Sequence, residues 1–508
     1  MTEFRTLGRH VSHYFGGRIA VILLGFISFP VFTRLFSVAD YGVLSLLLKT
    51  VLIFTVISKL GVQNSVLRFY QEYAQQGHDG LRRYYSSVLF GTATIGIMVA
   101  ALFVTGLWLM PPTVVSPETS RLLYIASALI LIRAMQPMVA AFLRVEGRTR
   151  TYNAIEIATK AATIGVIALL LLGWKGGIRA FLLATITVEG AVVLALVLTF
   201  AFRGFISVAA FDTRLFKSIV VFGLPLVAYE IASVVLDSGD RILVQHYLGA
   251  EVLGYYSAAY NIASYFQESL MTPVNLALFP IFMKIWAEKG KDETTKFLSK
   301  SLDLFLMMSI GLAAAMIAVS PSAIVVLASH KYARAQELLP MLVIGLVLYA
   351  SHIFLNAGLL IYKQTTVMAK LVFGACLVNI GFNVILLPRV GMRGAAIATL
   401  VSYIYLVIAM ARASFKIMPF RIEWWGIVRY LALACTCVYL VSYIRFVNQM
   451  AEFLIKGTAA VLLYALGLLL IEKNVRDFVL KAFRPALPAP EASSPNIVRS
   501  AMGGAEAQ

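Results

Sequence analysis

Along most of this chain, apolar residues run in long stretches rather than alternating with polar ones. Stretches of about 20 apolar residues are what a helix needs to cross roughly 30 Å of hydrocarbon. The pattern predicts spans near 13–34, 43–66, 86–109, 119–143, 153–173 and 180–202. A second series follows near 217–247, 253–283, 302–328, 336–361, 367–388, 394–411, 427–444 and 451–471. The fold expected is an all-α integral membrane protein of about fourteen transmembrane helices. Segments 217–247 and 253–283 exceed one bilayer thickness, and Pro225, Pro273 and Pro280 are candidate kink positions within them.

Composition agrees with that pattern. The 508 residues are 60% hydrophobic and 13% charged, with a mean hydropathy of +0.84. A soluble protein of this length needs more charge than that to form a polar surface. The net charge of +18 would suggest nucleic acid in a soluble protein. Here the basic residues concentrate in alternate connections, among them Arg82, Arg83, Arg144, Arg148, Arg150, Lys284, Lys289, Lys291, Lys296 and Lys300. That bias is what the positive-inside rule produces, and it places both termini in the cytoplasm. The apolar run near residue 20 lacks a small-residue cleavage site and reads as a retained span, not a signal peptide. The tail 473–508, rich in Pro, Ala and Ser from Arg484 onward, is expected to be disordered and cytoplasmic.

Internal similarity adds organisation. VADYGVLSL (38–46) resembles AEVLGYYSA (250–258), pairing Gly42 with Gly254. GIRAFLLAT (177–185) resembles GMRGAAIAT (391–399) at nearly the same separation and in the same order. The domains expected are a six-helix lobe over 1–216, a homologous six-helix lobe over 217–420 and two further spans over 421–472. Both repeat units begin on the same membrane side, giving parallel repeats that commonly enclose a central site. Transporters that rock one lobe against the other are built this way.

Charges inside spans cost about 2.5–3.5 kcal/mol each at a helix centre on insertion scales and usually face a bundle interior or water. The first lobe holds Arg18, Lys49, Lys59, Arg133 and Lys160, which together suggest a cationic lumen suited to an anionic substrate. Each also has a plainer reading. Lys49 is placed to snorkel outward, and Arg18 and Lys59 to meet lipid headgroups. Lys160 follows Glu156 by one helical turn, so the two neutralise each other on one face. Arg133 lies too deep to snorkel, and Glu189 is a candidate partner. The acidic set includes Glu189, Glu230, Asp237 and Asp240, with Arg241 one turn after Asp237, the spacing of a local ion pair. The repeat alignment sets Arg18 opposite Glu230, a candidate gating pair or a proton or cation site. Tyr255, Tyr256, Tyr260 and Tyr265 read as a sugar path or, more simply, as packing.

Several chemistries find no support. Cys376, Cys435 and Cys437 all lie in apolar runs and read as small core residues, with no metal-ligand spacing. No G-x-x-x-x-G-K-[ST] motif occurs, so ATP hydrolysis by this chain is not expected, and no catalytic constellation or cofactor site is evident.

The stretch TRLFSVADYGVLSLL, with Arg34, Leu35, Tyr41 and Gly42, resembles the Wzx-type polysaccharide flippases of the multidrug/oligosaccharidyl-lipid/polysaccharide superfamily. FGLPL followed by DSGDRILVQHYLGAEVLGYYS, with Pro225, Asp240 and Arg241, is similar to that family's seventh span and the turn after it. The resemblance implies a V-shaped pair of six-helix lobes working by alternating access in a bacterial cytoplasmic membrane. It further implies export of an undecaprenyl-diphosphate-linked oligosaccharide beside glycosyltransferases and a polysaccharide polymerase; the membrane potential favours outward movement of its negative charge, and coupling to a proton or sodium gradient is left open. The lipid II flippase branch and the multidrug extrusion branch are the related alternatives. A polysaccharide polymerase or ligase, or a non-transporting assembly partner, is the alternative of a different class. The former generally carries a large external loop, which this chain lacks.

Overall fold

The computed structural model describes residues 20–477 apart from 175 and 474, and among these it contains helices and no strands. The first half runs α1 (Ala20–Leu35), α2 (Val38–Lys59), α3 (Val62–Ala74), α4 (Gly77–Leu109), α5 (Pro117–Ala126), α6 (Ala128–Val145), α7 (Thr149–Trp174) and α8 (Gly177–Phe202). Then follow α9 (Thr213–Ser238), α10 (Asp240–Ala318), α11 (Ser320–Leu327), α12 (Leu339–Leu355), α13 (Ala357–Ile361), α14 (Thr365–Val390), α15 (Met392–Phe415), α16 (Trp424–Ser442) and α17 (Gln449–Ile471).

Start signals are local. Ser37 caps α2 through the backbone N–H of Asp40, and Asp212 caps α9 through Arg214 and Leu215. Each side chain satisfies donors that the first helical turn leaves open. The long α10 is interrupted at Gly249 (φ 82°, ψ 178°) and Gly290 (φ 76°, ψ −163°). That backbone region is essentially closed to side-chain-bearing residues.

Among the described residues, eleven helices are long and apolar enough to cross a membrane, or twelve when Thr213–Leu224 and Val227–Thr272, bent by 52° where Pro225 falls, count as one span. Fourteen were expected. The difference arises at α1, which is short as described, and around α9–α10, where Glu230, Asp237, Asp240, Arg241 and Glu268 dilute the apolar runs. Outward faces carry exposed Leu102, Leu169, Phe373 and Leu470, as helices surrounded by hydrocarbon should.

The largest apolar core spans both halves, from Phe29 and Leu47 to Leu346 and Tyr403, and α2 packed along α10 is its spine. A second core, around Tyr84, Tyr85, Phe142 and Phe200, belongs to α3, α4, α6, α8 and α9. Helices α16 and α17 pack on each other and on α10 through Tyr430, Cys437 and Tyr464. Cys376 and Cys437 are buried as expected, but Cys435 is exposed. Its spacing of two from Cys437 turns it to the opposite side of α16.

The repeated motifs meet. A Cβ at Gly42 would lie 2.2 Å from the Ala250 carbonyl oxygen, and one at Gly254 would lie 2.0 Å from that of Val38. Val38 and Gly42 correspond to Ala250 and Gly254 in the repeat, so the contact is reciprocal about an internal pseudo-two-fold axis, as in an isologous dimer. At the other end of α2, Gly61 (φ +69°) lies against Gly223, where a Cβ on Gly61 would come within 2.4 Å of the Gly223 carbonyl oxygen. Both ends of α2 are thereby closed against the following half by backbone-to-backbone contact.

Candidate functional site

Between those two glycine contacts lie most of the intramembrane charges. Lys49 on α2 does not reach outward: its Nζ donates to Asp237 Oδ2 on α9 at 3.0 Å. Asp237 also accepts from Tyr260 Oη at 2.7 Å and Ser238 Oγ at 2.9 Å.

The expected one-turn pair between Asp237 and Arg241 takes a different form. Arg241 Nη1 donates to the backbone carbonyl of Asp237 at 2.7 Å and to Asp240 Oδ1 at 3.2 Å. Its guanidinium lies 4.3 Å over the Tyr260 ring, a cation–π contact in a dry setting. Arg241 and Asp240 are fully buried. Tyr256 donates to Asp240, and Tyr260 joins Tyr403 at 3.0 Å. Asp237's carboxylate is thus spent on Lys49, Tyr260 and Ser238, because α2 supplies a lysine that sequence spacing does not reveal. Lys49, Arg241, Asp237 and Asp240 together form a charge-balanced network, the condition under which buried ions are tolerated.

The tyrosines fall on the packing side of the sequence reading. Tyr256 and Tyr260 are buried in this network, Tyr255 donates to Glu251 at 2.7 Å, and Tyr265 donates to the Gly25 carbonyl at 3.1 Å.

A second group lies inside the first half. A cavity of about 190 Å³ is lined by Arg133, Gln136, Glu156, Lys160, Thr185 and Glu189 together with apolar side chains. Arg133 holds Glu189 through two parallel bonds, Nε to Oε2 at 2.8 Å and Nη2 to Oε1 at 2.9 Å, the strong fork geometry of guanidinium and carboxylate. Lys160 stands within electrostatic reach of Arg133, Glu189 and Glu268. Two basic and two acidic side chains line the cavity, so its formal charge balances.

The third group closes the end of α2. Glu230 accepts from Gln63 Nε2 on both carboxylate oxygens at 2.9 Å, and Lys59 is within its field. Arg18, the expected counterpart of Glu230, lies outside the described residues. The structure therefore gathers Lys49 with Asp237, Asp240 and Arg241, Arg133 and Lys160 with Glu189, and Lys59 with Glu230. It does not merge these into one basic lumen.

Sequence reasoning missed Gln63, Tyr403 and Thr399, the last of which approaches Asp240 at 3.5 Å. It also missed the task of Arg34, whose Nη2 crosses to the Val326 carbonyl at the end of α11 at 2.8 Å. Lys331 donates back to the Arg34 carbonyl at 3.1 Å, and Asn261 donates to Tyr41 Oη at 2.6 Å. The Arg34–Gly42 motif is thus a strap between the halves. Its position at the end of a span was the available signal.

Long apolar helices with charges paired inside the bundle, packed about an internal pseudo-two-fold, define a multi-pass membrane protein. Among solved structures, the lipid II flippase MurJ in an inward closed conformation shares the fold with a TM-score of 0.70 at 16% identity, covering 92% of this chain and 99% of that one. An inward-facing multidrug resistance MATE transporter shares it with a TM-score of 0.58 at 13% identity, covering 82% of this chain and 99% of that one. Residues 7–286 match the family described as polysaccharide biosynthesis protein, and the chain belongs to that family. The succinoglycan biosynthesis transport protein ExoT of Rhizobium meliloti is 24% identical over 343 residues, 67% of this chain and 66% of ExoT. An uncharacterised membrane protein of Methanocaldococcus jannaschii is 25% identical over 201 residues, 38% of each chain.

Proposed function

We propose that this protein is a flippase that carries an undecaprenyl-diphosphate-linked oligosaccharide from the inner to the outer leaflet of a bacterial cytoplasmic membrane. The observation carrying this reading is that intramembrane cations on α2 and within the first half are each set against a carboxylate. Lys49 is held by Asp237, Arg133 by Glu189, and Lys59 lies in the field of Glu230. In this reading each carboxylate occupies the place that a diphosphate oxygen takes when the lobes 1–216 and 217–420 part. Membership of the polysaccharide biosynthesis family supports the cargo class.

The energetics favour export. Moving negative charge outward against an inside-negative potential yields about 2.3 kcal/mol per charge per 100 mV. Glu230, Asp237 and Asp240 are the proposed positions for proton or sodium coupling, with both termini in the cytoplasm. A lipid II substrate is the second reading, favoured by the MurJ-like fold.

The test is leaflet-to-leaflet movement of a fluorescent undecaprenyl-diphosphate oligosaccharide in proteoliposomes, with lipid II as competitor. Movement that lipid II does not inhibit upholds the first reading. Movement abolished by lipid II upholds the second, and no movement of either defeats both.

A further inference from the structure

On the basic face of the bundle, away from the charges just described, a cavity of about 610 Å³ lies between the last part of α10, the 416–423 connection and α16. Its charges separate into two sets, apart from Lys296, which is taken up by Glu293 at 2.7 Å. Lys300 and Arg421 are exposed and, among the described residues, make no side-chain hydrogen bond or ion pair. Asp303 lies in the fields of both Glu423 and Arg429. The neighbouring Arg429 is already engaged, at 3.0 Å from Glu472. Tyr430, 2% exposed, donates to Asp303 at 3.2 Å and completes the acidic side. Asp303, Glu423 and Glu472 thus share the single Arg429 on this side of the cavity, and that shortage of positive charge invites a cation from a ligand.

Immediately beside this cavity runs an apolar groove of about 750 Å³. Its lining interleaves with that of the polar cavity: Ile422, Trp424 and Ile427 alternate with Arg421, Glu423 and Gly426, and Leu302 adjoins Asp303. Trp424 and Trp425 are 68% and 78% exposed, and adjacent exposed tryptophans mark the headgroup level of a bilayer. The polar cavity therefore lies at headgroup depth, with the groove leading from it into hydrocarbon.

We infer that this composite site holds a resident zwitterionic phospholipid with a primary-amine headgroup, of the phosphatidylethanolamine class, from the leaflet on the basic face. Lys300 and Arg421 take the phosphate by charge-assisted hydrogen bonds. Asp303 and Glu423 take the ammonium beside the Tyr430 ring, and one acyl chain lies in the groove. An anionic phospholipid without an amine would meet the same carboxylates with nothing to neutralise them. The site is separate from the proposed cargo path, and flippase activity is not needed to observe it.

The experiment is native mass spectrometry of the full chain in detergent, titrated with phosphatidylethanolamine, phosphatidylglycerol and the soluble headgroup glycerophosphoethanolamine. Wild type is expected to retain phosphatidylethanolamine over phosphatidylglycerol. The double variant Lys300→Ala/Arg421→Ala should lower the ethanolamine adduct by about tenfold, the loss expected for charge-assisted bonds. Because those side chains are exposed, the fold should survive. As an independent arm, Glu423→Gln should narrow the preference between the two lipids. Equal retention of both lipids by wild type, or an unchanged adduct in the double variant, overturns the assignment. Soluble headgroup bound as tightly as the lipid removes the groove from the site and overturns it as well.

Discussion

Lys49 Nζ stands 3.0 Å from Asp237 Oδ2, joining α2 to α9 midway between the glycine contacts that close the two ends of α2. The side chains are part-exposed, at 27% and 40%, whereas those of Arg241 and Asp240 are fully buried, so losing one member here costs less than at that pair. Its weight lies in movement, since the halves cannot separate there while it holds. Lys49→Ala and Asp237→Asn are each expected to change the transport rate several-fold while shifting thermal unfolding less than Arg241→Met does. The double variant should match either single one, and additive effects on rate would show that the two residues act separately.

Arg241 behaves oppositely, because it is fully buried beside Asp240. Arg241→Met leaves a carboxylate without its cation, which costs about 3–5 kcal/mol in buried pairs. The expected outcome is a steep loss of monodisperse protein, partly recovered in Asp240→Asn/Arg241→Met. Normal thermal stability of the single variant would contradict this assignment.

At Gly42 and Gly254 even a methyl group collides with a facing carbonyl, at 2.2 and 2.0 Å. Gly42→Ala and Gly254→Ala should each destabilise by about 1–3 kcal/mol, the range for overpacking. One separation of α2 from α10 relieves both clashes, so the double variant should lose less than the sum. Thermal unfolding of the three proteins decides the point.

Arg133 and Glu189 are joined by two bonds, which allows a purely structural role to be separated from substrate binding. If Arg133 receives the diphosphate, Arg133→Ala lowers transport, and adding Glu189→Gln does not restore it. Arg133→Lys should recover little, since an ammonium lacks the guanidinium fork. Full recovery in the double variant would reduce Arg133 to the partner of Glu189.

How much of this was legible beforehand varies by residue. Apolar run length and basic bias disclosed the helices and the membrane class, because both are set by the local solvent of each segment. By length and apolarity the α9–α10 region reads, among the described residues, as one bent span, because Asp237, Asp240 and Arg241 interrupt the apolar pattern there. Gly249 and Gly290 show their role only in their backbone angles. The Asp237–Arg241 spacing suggested a pair that Lys49, 188 residues away along the chain, takes over.

The sequence by itself determined that this is a multi-pass helical protein with buried charge in its first half and a repeated Tyr-Gly or Leu-Gly motif. Those properties depend on neighbours in the chain and on the cost of charge in hydrocarbon. Only the tertiary structure decided that Gly42 meets Gly254, that Arg34 straps the halves together and that each deep cation among the described residues has a carboxylate in reach. Partner choice across helices depends on how they cross, and crossing is settled by packing among segments hundreds of residues apart.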